Sequence, residues 1–381
     1  MSERLRITGV RTVVVGADRR DWVFVLIDTD AGITGLGEAS LAGQTHAVLG
    51  AVKDFEPLLI GADAFRTEHL WQLAHRDVRV RGDATFHGAL AGIEVALWDI
   101  KGKALGVPLY RLLGGVVRDR IRVSANGPRG QTPDEYARSA ADLVARGFTA
   151  LTLTPFDPTP TLDGKRLVDA GIARVRAVRD AVGPDVDLIV DAGGSLSPPL
   201  AVRCAAALAP FGIMFLAEPS RPDHVPVLIR IAEKSPIPIA LGGPFATRSV
   251  GPALLASRAI AVLQPDIGRT GGLAEARRIA TLAESHFVSI APLNSGSLVN
   301  TVAALHLDAV TPNFLIQDVS AVAEPWHDVI VAPPRVDARG YIQPPGRPGL
   351  GVELDLEAAK RFPPGNRRAR YGHQAGPSTG V

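Results

Sequence analysis

Three carboxylates stand where apolar runs rich in β-branched residues end. Asp191 closes Val186–Asp191, Glu218 closes Ile213–Glu218, and Asp266 follows Ile260–Gln264 and Pro265. An acid directly after such a run is a poor core residue and a natural ligand for a hard cation. Glu218 lies 27 positions after Asp191, about one strand–helix unit, so the two should be neighbours on one rim. Two carboxylates facing each other in a desolvated cleft share a cation, or one of them takes a proton. The alternative is that each caps a helix or pairs with an arginine. Mg²⁺ wants more than two oxygen ligands. The next run, however, ends Leu241-Gly242-Gly243-Pro244, so a metal here would be held by Asp191, Glu218 and substrate.

The other strand ends offer different chemistry. In Gln264-Pro265-Asp266-Ile267-Gly268-Arg269 the partner of the acid is an arginine, which stays protonated and cannot act as a base at neutral pH. An Asp266–Arg269 ion pair is one reading. An Arg269 facing the pocket, with Arg248 after the fifth run, would instead hold an anionic group bidentately. Asn294 and Ser295 hydrogen-bond but transfer protons poorly, whereas Asp318, closing the eighth run, can orient a neighbour or act as an acid. Thr152 and Thr154 alternate onto one side of their strand, towards the mouth, as substrate contacts or as structural threonines. His46 follows Thr45 where a helix pattern begins. It is a candidate substrate contact, and Thr45 a candidate helix cap.

These residues need a frame, and the chain supplies a repetitive one. Eight short apolar runs recur: Ile121–Ala125, Thr149–Thr154, Val186–Asp191, Ile213–Glu218, Ile237–Leu241, Ile260–Gln264, Val288–Pro292 and Asn313–Asp318. Helical periodicity fills the gaps. Eight strand–helix units predict a parallel barrel with its chemistry at the C-terminal strand ends. The first part reads differently. Ile7–Val15, Trp22–Asp28 and Ile33–Glu38 predict an antiparallel meander, followed by helices over His46–Leu59, Thr67–Val78 and Ala89–Ala104. The expected fold class is α/β, a modified TIM (β/α) barrel with an N-terminal α+β capping domain. The capping domain is placed at 1–115 and the barrel at 116–325, with joints at Gly114-Gly115 and Glu324-Pro325. Residues 326–381, rich in Pro and Gly, read as an extension packing back on the capping domain and ending in a mobile tail.

Composition excludes several classes. Among 381 residues, 46% are hydrophobic and 21% charged, with net charge +2, as in a soluble globular enzyme. Basic residues are scattered apart from Arg367, Arg368 and Arg370 in the tail, so no nucleic-acid partner is expected. Cys204, the only cysteine, excludes an internal disulfide and a cysteine metal site, and its apolar surroundings predict a buried, inert thiol. Met1–Arg6 lacks a following apolar segment, and no run reaches the ~18 residues of a membrane span. The expectation is a cytoplasmic protein without a membrane partner.

Further segments carry a family resemblance: Gly37-Glu38-Ala39, Ala96-Leu97-Trp98-Asp99-Ile100-Lys101-Gly102-Lys103, Leu112-Leu113-Gly114-Gly115, Gly147-Phe148-Thr149-Ala150, Glu218-Pro219, Gln264-Pro265-Asp266, Gly271-Gly272 and Thr311-Pro312-Asn313-Phe314. Over about residues 4 to 357 the chain resembles the enolase superfamily in its mandelate racemase and muconate-lactonizing branch, and most of all its sugar-acid dehydratases of the galactonate type. That resemblance implies homo-oligomers, commonly dimers or octamers. It also implies Mg²⁺ on three successive strand-end carboxylates, stabilising an enolate formed beside a substrate carboxylate. Asp191 and Glu218 match the first two ligand positions, and Gly243 the third. Thr152 stands where a lysine base is frequent, Arg269 at the dyad histidine and Gly193 at the dehydratase acid. Leu293 replaces a further histidine, and Asp318 a glutamate. Three readings follow: a divergent binder of a small carboxylate with altered lyase or isomerase chemistry or none, a conventional Mg²⁺-dependent dehydratase or racemase, and a non-catalytic structural or regulatory protein.

Overall fold

The computed structural model describes residues 4–17, 20–77, 83–157, 164–221, 224–242, 251–320 and 325–365. The chain opens with the antiparallel meander β1 (Ile7–Ala17), β2 (Arg20–Thr29) and β3 (Thr34–Glu38). Its buried face meets α1 (Thr45–Leu59), α2 (Thr67–Asp77) and α3 (Ala84–Leu105). Helix α3 begins five residues before the periodicity suggests, because the Asp83 side chain caps it by accepting from Phe86 N. Gly37 lets β3 lie directly on α3, since a Cβ there would come within 1.9 Å of the Gly92 carbonyl oxygen.

The eight runs become eight parallel strands. They are β4 (Ile121–Asn126), β5 (Ala150–Leu153), β6 (Asp187–Asp191), β7 (Ile213–Ala217), β8 (Ile239–Leu241), β9 (Val262–Leu263), β10 (Ser289–Ile290) and β11 (Gln317–Ser320). Neighbours pair in sequence order, and β11 pairs with β4. The seventh and eighth units meet through Ile290 N to Asn313 O (2.8 Å) and Leu315 N to Ile290 O (2.7 Å). The eighth ladder falls later than the apolar run suggests. Phe314 makes only an isolated bridge, so Asp318 lies inside β11 rather than at its end.

Alternation sorts the barrel side chains into two sets. Val123, Leu151, Leu153, Leu188, Val190, Leu216, Leu241, Leu263, Ile290 and Val319 face outward into the core beneath the helices. Ala150, Ile189, Phe215, Ala217, Ala240, Val262, Ala291 and Ile316 form a separate inner cluster that fills the barrel. On this period Ser124, Asn126, Thr152, Asp191, Gln264 and Asp318 share the inward face, and the inner cluster gives them an apolar floor.

Past the barrel, β12 (Ile330–Val331) pairs with β14 (Glu353–Leu354), and β13 (Tyr341–Ile342) pairs antiparallel with β4. Val329, Leu350, Val352 and Ala358 join one core with Val15, Trp22 and Leu36 of the meander. The segment after the barrel therefore lies against the first sheet. Arg367, Arg368 and Arg370 lie outside the described residues, as does Glu324.

Three buried carboxylates bolt the first domain to the rest. Glu38 Oε1 accepts from Ser297 N (2.8 Å) and Ser40 Oγ (2.6 Å), and its Oε2 from Ser297 Oγ (2.6 Å) and Asn300 N (3.1 Å). This places Glu38 at the N-terminus of the barrel helix Leu298–Val310. Glu94 does the same for the helix Leu273–Glu284, accepting from Leu273 N (2.8 Å) and Ala274 N (3.0 Å). Asp99 accepts from Leu36 N (2.9 Å) and Leu350 N (2.7 Å) and pairs with Lys103. Orphan amides of a helix start are natural partners for an anion. Desolvation nevertheless dominates, raising all three acids and carrying Glu94 up to about 7.

Candidate functional site at the barrel mouth

Asp318 sits at the centre of an inward-facing polar cluster. It is buried, and it receives Asn126 Nδ2 at 3.0 Å and Ser124 Oγ at 3.4 Å. Thr152 Oγ1 in turn donates to Ser124 Oγ at 3.0 Å. Burial pushes the Asp318 carboxyl up to about 6, the nearby Asp191 charge adds to the rise, and the Asn126, Thr152 and Ser124 donors oppose it. Of the two threonines expected at the mouth, Thr152 is buried in this network. Thr154 lies one residue beyond β5, is exposed, and accepts Tyr136 Oη at its backbone carbonyl (2.9 Å).

Asp191 and Glu218 lie on adjacent strands, as their spacing requires. Asp191 pairs in register with Ala217, the residue before Glu218. Asp191 Oδ1 accepts from Gly193 N (2.8 Å), and Glu218 Oε1 accepts from Gly242 N (2.7 Å). Glu218 holds φ at 44°, a left-handed backbone unusual for a non-glycine residue, and its carbonyl accepts from Gly194 N (2.8 Å). Glu218 thus ties the loop after β6 to the end of β8, while Asp191 braces its own loop. Mg²⁺ prefers an octahedral oxygen shell. Among the described residues no group of three or more His, Cys, Asp or Glu is placed to hold a metal ion. Gly243, outside the described residues, brings no side-chain oxygen to the third position. Asp191 and Glu218 by themselves fall short of the oxygen shell that a resident Mg²⁺ takes.

Asp266 is not an open acid. It is buried and accepts from Gly268 N (3.0 Å), Ser295 N (3.1 Å) and Asn300 Nδ2 (3.1 Å). Arg269, on the short helix Ile267–Thr270, approaches it only loosely, with Nε 3.6 Å from Asp266 Oδ2. That Nε is buried without a hydrogen-bond partner, while the side chain as a whole is 32% exposed. The residue bridged to Asp266 across the sheet is Leu293. Across the sheet Asp266 is thus bridged to an apolar residue, and its ion-pair partner Arg269 lies three residues along the chain.

Asn294 is committed to its own turn. Its Nδ2 reaches Ser297 O (3.2 Å) and Thr301 Oγ1, and its Oδ1 accepts from Gly296 N and Asn300 Nδ2, both at 2.9 Å. His46 lies exposed in the first turn of α1. Thr45 is the first residue of that helix, and the cap position belongs to Gln44. Arg248 lies outside the described residues. The mouth thus gathers Asp191, Glu218, Thr152 and Asp318, with Asp266 and Arg269 on the rim. Sequence reasoning passed over Ser124, Asn126 and Gln264. The alternation Ile121-Arg122-Val123-Ser124-Ala125-Asn126 carries the signal, because every second residue is polar on a strand otherwise buried.

The chain matches two family models, "Mandelate racemase / muconate lactonizing enzyme, N-terminal domain" over residues 2–114 and "Enolase C-terminal domain-like" over residues 135–359. It is 38% identical to a D-galactonate dehydratase of Variovorax paradoxus, over 93% of this chain and 95% of that one. A D-galactonate dehydratase of Verminephrobacter eiseniae is 37% identical, over 88% and 89%. Among solved structures, a mandelate racemase/muconate lactonizing enzyme from Sulfitobacter superposes with a TM-score of 0.89 at 32% identity, covering 95% of this chain and 96% of that one. A member of the enolase superfamily from Salmonella Typhimurium gives 0.88 at 30% identity, covering 94% and 98%.

Proposed function

Because the chain belongs to the mandelate racemase and muconate-lactonizing group of the enolase superfamily, we propose that its barrel mouth binds a small carboxylate of the sugar-acid kind. Any chemistry there is of the lyase or isomerase type and departs from the three-carboxylate Mg²⁺ scheme. One observation carries this reading: Arg269 Nε is buried with no hydrogen-bond partner, its loose ion pair with Asp266 spanning 3.6 Å, while the oxygens of Asp266 are occupied by other donors. A guanidinium in that state is a binding group for a carboxylate, which it engages through parallel N–H donors. The curated relatives named D-galactonate dehydratase support the substrate class.

Asp318 supplies the group suited to proton transfer. A carboxyl raised to about 6 keeps a proton into the range where a leaving hydroxyl or a carbanion needs one. Asp191, half-buried on the same inward face, stays the more hydrated of the two acids.

Calorimetric titration with D-galactonate tests the reading, with Arg269→Gln beside the wild type. Binding by the wild type that weakens about tenfold or more in Arg269→Gln is the expected result. Equal affinity in both proteins would remove Arg269 from the site. Product analysis by mass spectrometry then shows whether the bound acid loses water, epimerises or is returned unchanged.

A further inference from the structure

The mouth holds one polar side chain that nothing above employs. Gln264 is 3% exposed, and its Oε1 is buried with no donor in reach among the described residues. Buried side-chain oxygens nearly always have a partner, and leaving one without a donor is costly. The backbone around it is rigid. Gln264 N donates to Leu241 O (2.9 Å), and a Cβ on Gly242 would come within 2.2 Å of the Gln264 carbonyl oxygen. On the other side Ala291 N reaches Leu263 O (3.0 Å) and Leu293 N reaches Pro265 O (3.1 Å). With both edges of the segment laddered, the side chain cannot roll to the outer face.

That register aims Gln264 at the mouth. Val262 belongs to the inner cluster and Leu263 to the outer core, so the next residue points inward, one level above Val262. Its neighbour Gly242 is the residue whose N–H holds Glu218 Oε1 at 2.7 Å. Gln264 is therefore placed in the ring of strand-end groups, between Glu218 and the Asp266–Arg269 pair.

We infer that Gln264 is a specificity-determining residue of the mouth, its side-chain amide oxygen accepting a hydrogen bond from a hydroxyl group of the bound carboxylate. The inference rests on the carboxylate reading of the site and adds a second recognition element to it. Arg269 brings a donor held only by a loose ion pair, and Gln264 an acceptor without a hydrogen-bond donor. A ligand with a carboxylate and a hydroxyl satisfies both, and one with the carboxylate alone leaves Gln264 unpaired. Sites built around a polar partner reject the analogue that lacks it far more strongly than apolar pockets reject a missing methylene. A cation is the other species an amide oxygen accepts, but Gln264 brings no negative charge and Arg269 stands on the same rim.

The probes are D-galactonate and hexanoate, six-carbon acids with and without hydroxyl groups, measured by calorimetry on the full chain. The wild type is expected to prefer D-galactonate, and Gln264→Met to shrink that preference by roughly 10- to 100-fold while hexanoate affinity stays within about threefold. Gln264→Asn, which keeps the amide but withdraws it, should behave like Gln264→Met. The ligand-free Gln264→Met protein should also melt at or above the wild-type temperature, because an unpaired buried acceptor has gone. A wild type that holds D-galactonate no more tightly than hexanoate overturns the inference. So does an unchanged preference in Gln264→Met, or an Mg²⁺ affinity that falls with that substitution. If Arg269→Gln leaves both affinities intact while the Gln264 preference collapses, the carboxylate reading fails and the hydroxyl contact stands.

Discussion

Buried carboxylates do two different jobs in this molecule, at the domain seam and at the barrel mouth. Glu38, Glu94 and Asp99 at the seam accept backbone amides from a second domain, so each acid replaces a missing turn of helix or strand. At the mouth Asp191 accepts from its own loop, Glu218 from the backbone at the end of the next strand of the same barrel, and Asp318 from side chains inside the barrel. The seam acids fix where the capping domain sits. Those at the mouth tie together strand ends within one barrel, at the face that meets whatever enters. Burial alone therefore does not mark a functional acid; the origin of its donors does.

The largest effect that tests this contrast is at Glu38. Glu38→Ala leaves Ser297 N, Asn300 N and two hydroxyls without an acceptor inside the seam, and should cost about 3–5 kcal/mol of unfolding free energy. Asp191→Asn at the mouth should cost under about 1 kcal/mol, because it disturbs one local turn. Denaturant titration of both variants decides the matter, and equal losses would erase the distinction. Glu94 adds a pH signature. With its carboxyl raised to about 7 in the fold, the neutral form is the favoured one. Its contribution is fully present below the ordinary carboxylate range near 4.5 and is lost as pH climbs through about 7. In Glu94→Gln the decline in melting temperature across that window should flatten.

The same contrast explains what the sequence made legible. The eight strand runs, the meander and the three capping helices were readable because short apolar runs and longer helical stretches are separated by Gly, Pro and polar breaks, even where, as in β2 and α3, nearly every residue is buried. The segments Gly37-Glu38-Ala39 and Ala96–Lys103 proved informative about fold because Glu38, Asp99 and Gly102 belong to the seam. Gly102, for example, packs against Gly349, where an added Cβ would come within 2.6 Å of its Cα. Such residues report how the domains meet and say nothing of substrate. The mouth was less legible. The Asp266–Arg269 ion pair was readable from nearness in sequence, with Arg269 Nε 3.6 Å from Asp266 Oδ2, but the bridge from Asp266 to Leu293 across the sheet was not. Asn294 was legible as a polar residue after a strand end, but not that its amide hydrogen-bonds within its own turn. Ser124 and Gln264 escaped notice because their meaning depends on which face of a strand is inner, and closure of the barrel decides that.

A metal titration sharpens the comparison next. If the mouth is a carboxylate site with only two acids of metal-ligand type, Mg²⁺ should bind the wild type no more tightly than about millimolar, and Gly243→Glu should bind it at least about tenfold more tightly. Calorimetry on chelator-treated protein reads both. Sub-millimolar binding by the wild type would restore the conventional Mg²⁺-dependent dehydratase or racemase and make the mouth acids a metal cage.

The smallest effect concerns how the inner cluster tunes Asp318. Its carboxyl faces Asp191, whose charge raises it, and Asn126, Ser124 and Thr152, whose donors lower it. Below about 6 the group is neutral and offers no repulsion to an anionic ligand, and above it the ionised form repels one. D-galactonate affinity should therefore fall as pH rises through 6, by roughly threefold to tenfold between pH 5 and 8. Asp318→Asn should show a flat profile. Ser124→Ala removes one donor to the ionised form, so the midpoint should move up by about half a pH unit, with the affinity plateau at low pH unchanged. A midpoint that stays put would mean that the 3.4 Å Ser124 contact does not help hold the charge, leaving Asn126 and Thr152 as the groups that do.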